Sequence, residues 1–524
     1  MVRTASVVLL AAAAVPALAG TGPSDSDWPS YNRLLTSERF APQTELTREN
    51  VARLEVLCSY DTHQQLSFHT GPLVVAGTLY ATTDSDTFAL DATSCQERWR
   101  AHEDIQESFL RTNRGAAYLE GRLFRGLPDG RVVAYDAANG QRLWEVRIAD
   151  NKRGESVPAA PIAWGGLVFI GNAGGDNYGV KGRMYALDAA TGKTVWEFYL
   201  VPKENPDATH ADSWGNDADA PVTGGATWTS YSLDPASGLL YIPGGNPAPD
   251  FVTAVRPGDN LYTNSIVVLD ARSGAYRTHY QLAPRDFHDW DVSSAPVLLT
   301  SGKRHRLLEA PKDGHLYGYD LANGQRVFRT PITTIENDNV PLSEKGTRFC
   351  PGVQGGTEWN GPAYDPDTNL AFTGTVDWCS TVYLKPKTET KSGAIGEPWT
   401  GARAPAIFGK MDPPGHYRGW LTAADADSGE IHWRFETPAP ILGAVTPTAG
   451  GLVFFGDLAG NFYAMDKANG KQLWSTRLEG AIAGGVVSYA VAEQQHIAVA
   501  AGATSPIWPT PKVNAKIVVF GLKP

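Results

Sequence analysis

Arg183-Met184-Tyr185-Ala186-Leu187-Asp188-Ala189-Ala190-Thr191-Gly192-Lys193-Thr194-Val195-Trp196 reads as strand, tight turn, strand. The incoming run is apolar and aromatic, Asp188 can accept turn amides through its carboxylate, and Gly192 can take the positive φ that the turn demands. The outgoing strand carries Trp196, whose indole is suited to docking against a neighbouring unit. The same Asp, Gly and Trp spacing recurs at Asp136, Gly140, Trp144, at Asp425, Gly429, Trp433 and at Asp466, Gly470, Trp474. Asp91 and Trp99 keep it with Cys95 in the Gly place, Asp320 and Gly324 keep it with Phe328, and Asp270 with Gly274 lacks the aromatic. A self-match of this kind marks a repeat architecture.

Most neighbouring copies lie 41 to 52 residues apart, but gaps of 82 and 105 follow Asp188 and Asp320. The longer gap is expected to hold a degenerate unit, with strands near residues 361–364 and 370–376. Seven visible copies and that one make eight, although the spacing alone leaves seven open. Units of this length with short strands fit an all-β fold, an eight-bladed β-propeller with Trp-docking repeats. Residues 54–60 and 516–522 are expected to share one unit and close the ring. Residues 20–524 are read as one propeller domain, with the Asp- and Asn-rich stretch 202–221 and the Pro/Gly-broken stretch 385–414 as long loops lining the mouth of a site.

Composition agrees with many short strands: charged residues are 19% of the 524, with 54 Gly and 15 Trp. The net charge of −11 argues against a nucleic-acid partner or an anionic lipid surface, both of which require a cationic face. Met1-Val2-Arg3, the apolar run 7–15 and Ala17-Leu18-Ala19 match a secretory signal peptide over residues 1–19. That run is shorter than the roughly 20 residues that span a bilayer, and no membrane span is expected. Export to the periplasm or the medium makes the four cysteines disulfide candidates. Three connectivities are open, and proximity along the chain suggests Cys58 with Cys95 and Cys350 with Cys379. Neither a Cys-x-x-Cys-His haem motif nor a zinc-spaced cluster is present.

Three strand-end stretches carry the candidate chemistry: Gly171-Asn172-Ala173-Gly174-Gly175-Asp176-Asn177-Tyr178-Gly179, Gly244-Gly245-Asn246-Pro247-Ala248-Pro249-Asp250, and His288-Asp289-Trp290-Asp291-Val292-Ser293-Ser294-Ala295-Pro296. Loops from different units of a propeller can converge on its axis, and Asp176, Asn246 and Asp291 would offer the oxygen donors that a hard cation prefers. By spacing alone these are ordinary turn residues.

The repeats, Asp27-Trp28-Pro29-Ser30-Tyr31, Gly224-Gly225-Ala226-Thr227-Trp228, the Gly-Asn-Pro-Ala-Pro run at 245–249 and Trp290-Asp291 together resemble the pyrroloquinoline-quinone (PQQ)-dependent alcohol dehydrogenases, the methanol dehydrogenase large-subunit group. The resemblance implies a quinone held on the axis over Ca²⁺. It implies Trp228 as the floor under the quinone, Asp176 and Asn246 as metal ligands, and Asp291 as ligand and catalytic base. It also implies Lys312 as a catalytic cation at the reactive oxygens, Arg114 on the acidic rim, and cofactor contacts from His69, Gly174, Gly175 and Trp359. Several positions depart from the family pattern. Ser108-Phe109 replaces a vicinal cysteine pair, Asp176 a glutamate, His69 a glutamate, Glu358 an asparagine and Leu442 an aromatic. Asn177 is an apparent insertion, so either Asp176 or Asn177 is expected to reach the metal. Ser293 replaces the extra carboxylate of lanthanide-using members, which favours Ca²⁺.

The activity so implied is oxidation of an alcohol to an aldehyde or ketone. Asp291 would take the hydroxyl proton, and electrons would pass to an external acceptor such as cytochrome c. The missing cysteine pair and Leu442 suggest a wide entrance and larger secondary, cyclic or polyhydric alcohols. Two readings compete with this one: a PQQ-dependent sugar or polyol dehydrogenase, and a non-enzymatic exported propeller scaffold that shares only the docking repeats.

Overall fold

The computed structural model describes residues 24–106, 111–202, 211–215 and 221–523. The expected leader at 1–19, the Ser108-Phe109 pair and most of the 202–221 loop lie outside the described residues. Strands dominate; the helices among the described residues are single 3-10 turns, and none is long and apolar enough to cross a membrane.

Eight four-stranded antiparallel sheets are formed among the described residues. In seven of them the strands follow chain order, and the repeat motif occupies the outer hairpin. Asp188 ends Arg183–Asp188, whose middle four residues are all buried, and Trp196 stands in Thr194–Tyr199, which is largely exposed. The third strand is thus an apolar run sealed on both faces, and the fourth is an edge that presents one indole inward.

The indoles link successive sheets. Trp99, Trp144, Trp196 and Trp433 donate through Nε1 to the carbonyls of Ala137, Ala189, Ala271 and Lys467, at 3.0, 3.1, 3.0 and 3.1 Å. Each acceptor is the residue after the motif Asp of the next sheet. The motif Gly completes the contact: a Cβ at Gly140 would lie 2.5 Å from Trp99 Cε3. At Gly324 a Cβ would meet nothing within 4 Å, because the preceding sheet has no motif aromatic.

The eighth sheet joins the two ends of the chain, in the order Glu55–Asp61, Lys516–Gly521, Gln494–Ala503, Ala481–Val491. Its link to the Asp91 sheet differs from the others. The Tyr489 hydroxyl donates to Ala92 O at 2.5 Å in place of an indole, and the Cys58–Cys95 disulfide stands where the glycine contact would be. Cys350 and Cys379 form the second disulfide, so both expected pairings are found.

The expected degenerate unit is corrected. Ala363–Asp365 and Leu370–Asp377 are the first two strands of the Asp425 sheet, paired onward with Arg418–Asp425 and Ile431–Thr437. The gap of 105 arises from insertions before and within that sheet. These carry a small three-stranded sheet, Thr347–Phe349, Ser380–Val382 and Lys410–Met411, stapled by Cys350–Cys379.

Candidate cofactor and metal site

Short strands apart from the large sheets bring the candidate residues together. Ser67–Gly71 pairs in parallel with Thr112–Gly115 and places His69 and Arg114 side by side. Thr223–Gly224 pairs with Pro247–Ala248 and sets Asn246 near the Trp228 loop.

Trp228 is the half-buried floor of a ring of cations and aromatics. The Arg114 guanidinium lies 4.5 Å from its ring centroid and 5.1 Å from that of Trp359, and Lys312 Nζ lies 5.7 Å from the Trp228 centroid. Arg114 is fixed by donating to Trp228 O at 3.0 Å. His69 stacks on Trp359 at 4.2 Å, and both its ring nitrogens are buried without a partner among the described residues. Burial, then the Arg114 charge, holds the His69 ring well below the usual imidazole range. Burial brings Arg114 itself down to about 10. A flat indole under two cations, beside an imidazole that lacks partners, fits an anionic aromatic ligand.

Asp291 is held from several sides. Asp286 accepts from His288 N and Trp290 N at 3.1 and 3.0 Å, Asn264 Nδ2 donates to Trp290 O, and Ser293 Oγ donates to Thr357 O. His288 is sandwiched against Trp290 at 3.8 Å and is a packing residue. Asp291 Oδ1 accepts from Asn246 N at 2.8 Å, and its Oδ2 meets Lys312 Nζ at 2.7 Å. Lys312 N donates to Asp291 O at 3.1 Å, so the two residues are locked through backbone and side chain alike. Despite its burial, Lys312 is held well above the usual ammonium range by Asp289, Asp291 and Glu358. The buried Glu358 carboxyl is pushed up to about 7 by desolvation, against the opposing pull of Lys312.

Asp176, Asp250 and Asp289 each bring a carboxylate oxygen within 4.8 Å of the others. Burial, then the Asp291 charge, pushes Asp176 up to about 6. Burial and the neighbouring carboxylates drive Asp250 and Asp289 well above the carboxylate range. Both Asp250 oxygens are buried without a partner among the described residues. Such crowding fits a hard cation.

Asp176 reaches this group, whereas Asn177 donates its amide to Gly154 O at 2.8 Å. Gly174 and Gly175 serve close approach: a Cβ would lie 2.1 Å from Gly154 O and 3.0 Å from Ala226 Cβ respectively. The 385–414 stretch borders the site, since Trp399 N donates to Asp176 O at 2.7 Å. Leu442 is buried in the central cluster with Trp359. The sequence motifs assigned no part to Asp250 or Asp289. Their one signal was an acid four residues after Asn246 and another two before Asp291.

A family model described as glucose/ethanol/alcohol dehydrogenase, beta-propeller domain, matches residues 28–342, more than half of the chain. The chain belongs to the quinoprotein alcohol dehydrogenase family. It is 30% identical to a quinohemoprotein alcohol dehydrogenase of Pseudomonas putida, over 95% of this chain and 77% of that one. A lanthanide-dependent methanol dehydrogenase of Methylacidiphilum fumariolicum (strain SolV) is 29% identical over 91% of this chain and 84% of its own. A solved structure of the Pseudomonas putida quinohemoprotein superposes with a TM-score of 0.87 at 27% identity, covering 95% and 80%. The quinoprotein is therefore an all-β propeller enzyme, and the scaffold reading falls. A model of the outer membrane protein assembly factor BamB matches residues 417–508, a stretch that includes two docking repeats.

Proposed function

We propose that this quinoprotein oxidises an alcohol to an aldehyde or ketone at the Trp228 floor, with Asp291 as base and Lys312 beside the developing oxyanion. The observation that carries the reading is the Asp291–Lys312 pair at 2.7 Å on the edge of an indole that faces two cations. Trp228, Arg114, His69 and Trp359 would hold the quinone, and bound PQQ supplies the two-electron acceptor for the substrate carbon. Asp291 Oδ2 accepts the hydroxyl proton, and its Oδ1 bond to Asn246 N keeps the carboxylate aimed. The Lys312 ammonium, enclosed and close to Asp291, stabilises negative charge that forms near it.

Asp176, Asn246 and Asp291 would hold Ca²⁺, with Ser293 supplying no further carboxylate. Electrons leave to an external acceptor such as cytochrome c. The eight four-stranded sheets are read as eight blades of a single propeller over residues 20–524, and the two disulfides and residues 1–19 support export to the periplasm or beyond. The substrate class proposed is larger secondary, cyclic or polyhydric alcohols. Reconstitution tests the reading: purified apoprotein with a dye acceptor should oxidise alcohols only when both PQQ and Ca²⁺ are added. Equal turnover with NAD and no quinone refutes it. A panel of alcohols and sugars on the reconstituted enzyme separates an alcohol from a sugar dehydrogenase.

A further inference from the structure

Among the described residues three arginines are at most 1% exposed: Arg39, Arg125 and Arg256. Two of them are fully accommodated. Arg125 donates from Nε, Nη1 and Nη2 to the carbonyls of Gly126, Asp86, Thr83 and Asp84 and to Thr87 Oγ1, with the negative charge of Asp84, Asp86 and Glu103 nearby. Arg256 likewise uses every nitrogen, on the carbonyls of Pro249 and Asp250 and on Asn260 Oδ1, with Asp250 and Asp286 acting on it.

Arg39 differs. Its Nη2 donates to Asn32 Oδ1, but Nε and Nη1 are buried without a partner among the described residues. Glu38, its chain neighbour, accepts from Thr36 Oγ1 and acts on Arg33, and the one ionisable group whose field reaches Arg39 is Tyr31. Tyr31 donates its hydroxyl to Asn360 Oδ1 at 3.0 Å and is pushed up to about 12 by burial, so it stays neutral and brings no countercharge.

The segment that carries Arg39 joins the sheets. Trp28 bonds to Val74, Leu35 O accepts from Leu233 N, Thr36 O from Leu298 N, Glu38 O from Tyr364 N, and Ala41 N donates to Pro447 O. These partners lie on the first strands of five large sheets, which so short a segment can reach only where those strands converge. The backbone at Arg39 is left-handed, φ 56°, a conformation that a β-carbon disfavours, so a long cation is held where Gly or Asn would fit more easily. An enclosed guanidinium without a countercharge is strongly unfavourable. One negative charge offsets that, and the N–H groups of Nε and Nη1 are donors for it. A dianion would instead leave an uncompensated negative charge in the same enclosure.

We propose that Arg39 holds a monovalent anion of the chloride type where the five first strands converge. The ion accepts from Nε and Nη1 and neutralises the segment that ties those sheets together. None of the residues assigned to the quinone or the metal takes part, and the site does not depend on the proposed oxidation.

Halide exchange tests it. The full chain is freed of halide in sodium gluconate, and thermal unfolding is followed as chloride replaces gluconate up to about 0.2 M, so that ionic strength and screening stay fixed. Wild type is expected to gain about 2–5 °C in Tm, and Arg39→Gln, which keeps a donor for Asn32 Oδ1 but has no charge to neutralise, less than about 1 °C. A wild-type Tm that ignores the exchange overturns the proposal, as does an equal gain in Arg39→Gln, which would place the effect elsewhere. Crystals of the wild-type chain grown in bromide give a second measurement that does not require the variant to fold. Anomalous scattering from a bromide in contact with Arg39 Nε or Nη1 supports the site, whereas water density without an anomalous signal there overturns it.

Discussion

Asp291→Asn removes the proposed base while altering the fewest atoms. The asparagine retains one oxygen for Asn246 N, now 2.8 Å from Oδ1, and turns an amide NH₂ towards Lys312 Nζ, now 2.7 Å from Oδ2. Two donors then face each other where a charge-assisted bond had been, a loss of about 1.5–3 kcal/mol in stability. Lys312 retains Asp289 at 3.6 Å, which limits the damage. Losing a positioned base lowers kcat by about 10²- to 10⁴-fold, or about 3–5 kcal/mol of barrier. The assay is dye-linked alcohol oxidation by the reconstituted protein, with quinone affinity from absorbance and stability from thermal unfolding. Quinone affinity within about threefold of wild type, alongside the drop in kcat, is the expected result, because the floor and rim side chains are untouched. A kcat within about fivefold of wild type would refute the assignment of the base.

Gly140→Ala and Gly324→Ala form a matched pair. Both sites have φ near +70°, so each loses about 1 kcal/mol to backbone strain. Only the first drives a methyl into an indole, 2.5 Å from Trp99 Cε3, which adds about 1–3 kcal/mol, and equal denaturation midpoints would discredit the docking account. Glu309 is fully buried, accepts from Ser294 Oγ at 2.7 Å, and is pushed up to about 8 by desolvation. Because its folded pKa lies above the unfolded value of about 4.3, its stability contribution is full below that value and is lost as pH rises towards about 8. Glu309→Gln should therefore flatten the fall of Tm across that window, and an unchanged slope would count against a protonated Glu309. Replacing Cys58 and Cys95 together with serine should cost about 2–4 kcal/mol, with wild-type Tm as the contrary outcome.

The repeat was legible because its physics is local. Asp, Gly and Trp sit within nine residues, and turn, positive φ and docking indole each follow from residue type. The Asp425 sheet was misread because its inner and outer hairpins are separated in sequence by residues 378–417, an excursion with a fold of its own. In the site, Trp228, Lys312, Arg114 and Asp291 were found through a pattern shared with a family, and the structure brings them together. The Asp250 and Asp289 carboxylates were not legible, because their meeting depends on two loops that belong to different sheets. No spacing along the chain encodes it.

The closing sheet sets an order on synthesis. Strand Glu55–Asp61 is made long before its hydrogen-bonding neighbour Lys516–Gly521. Cys58 and Cys95 are only 37 residues apart and can join long before that. The early bond would park the waiting strand against the first sheet, so that the growing chain carries a prepared edge for a strand made much later. Lys516–Gly521 then meets a fixed template, and capture of that bare edge by another molecule is the hazard the crosslink reduces.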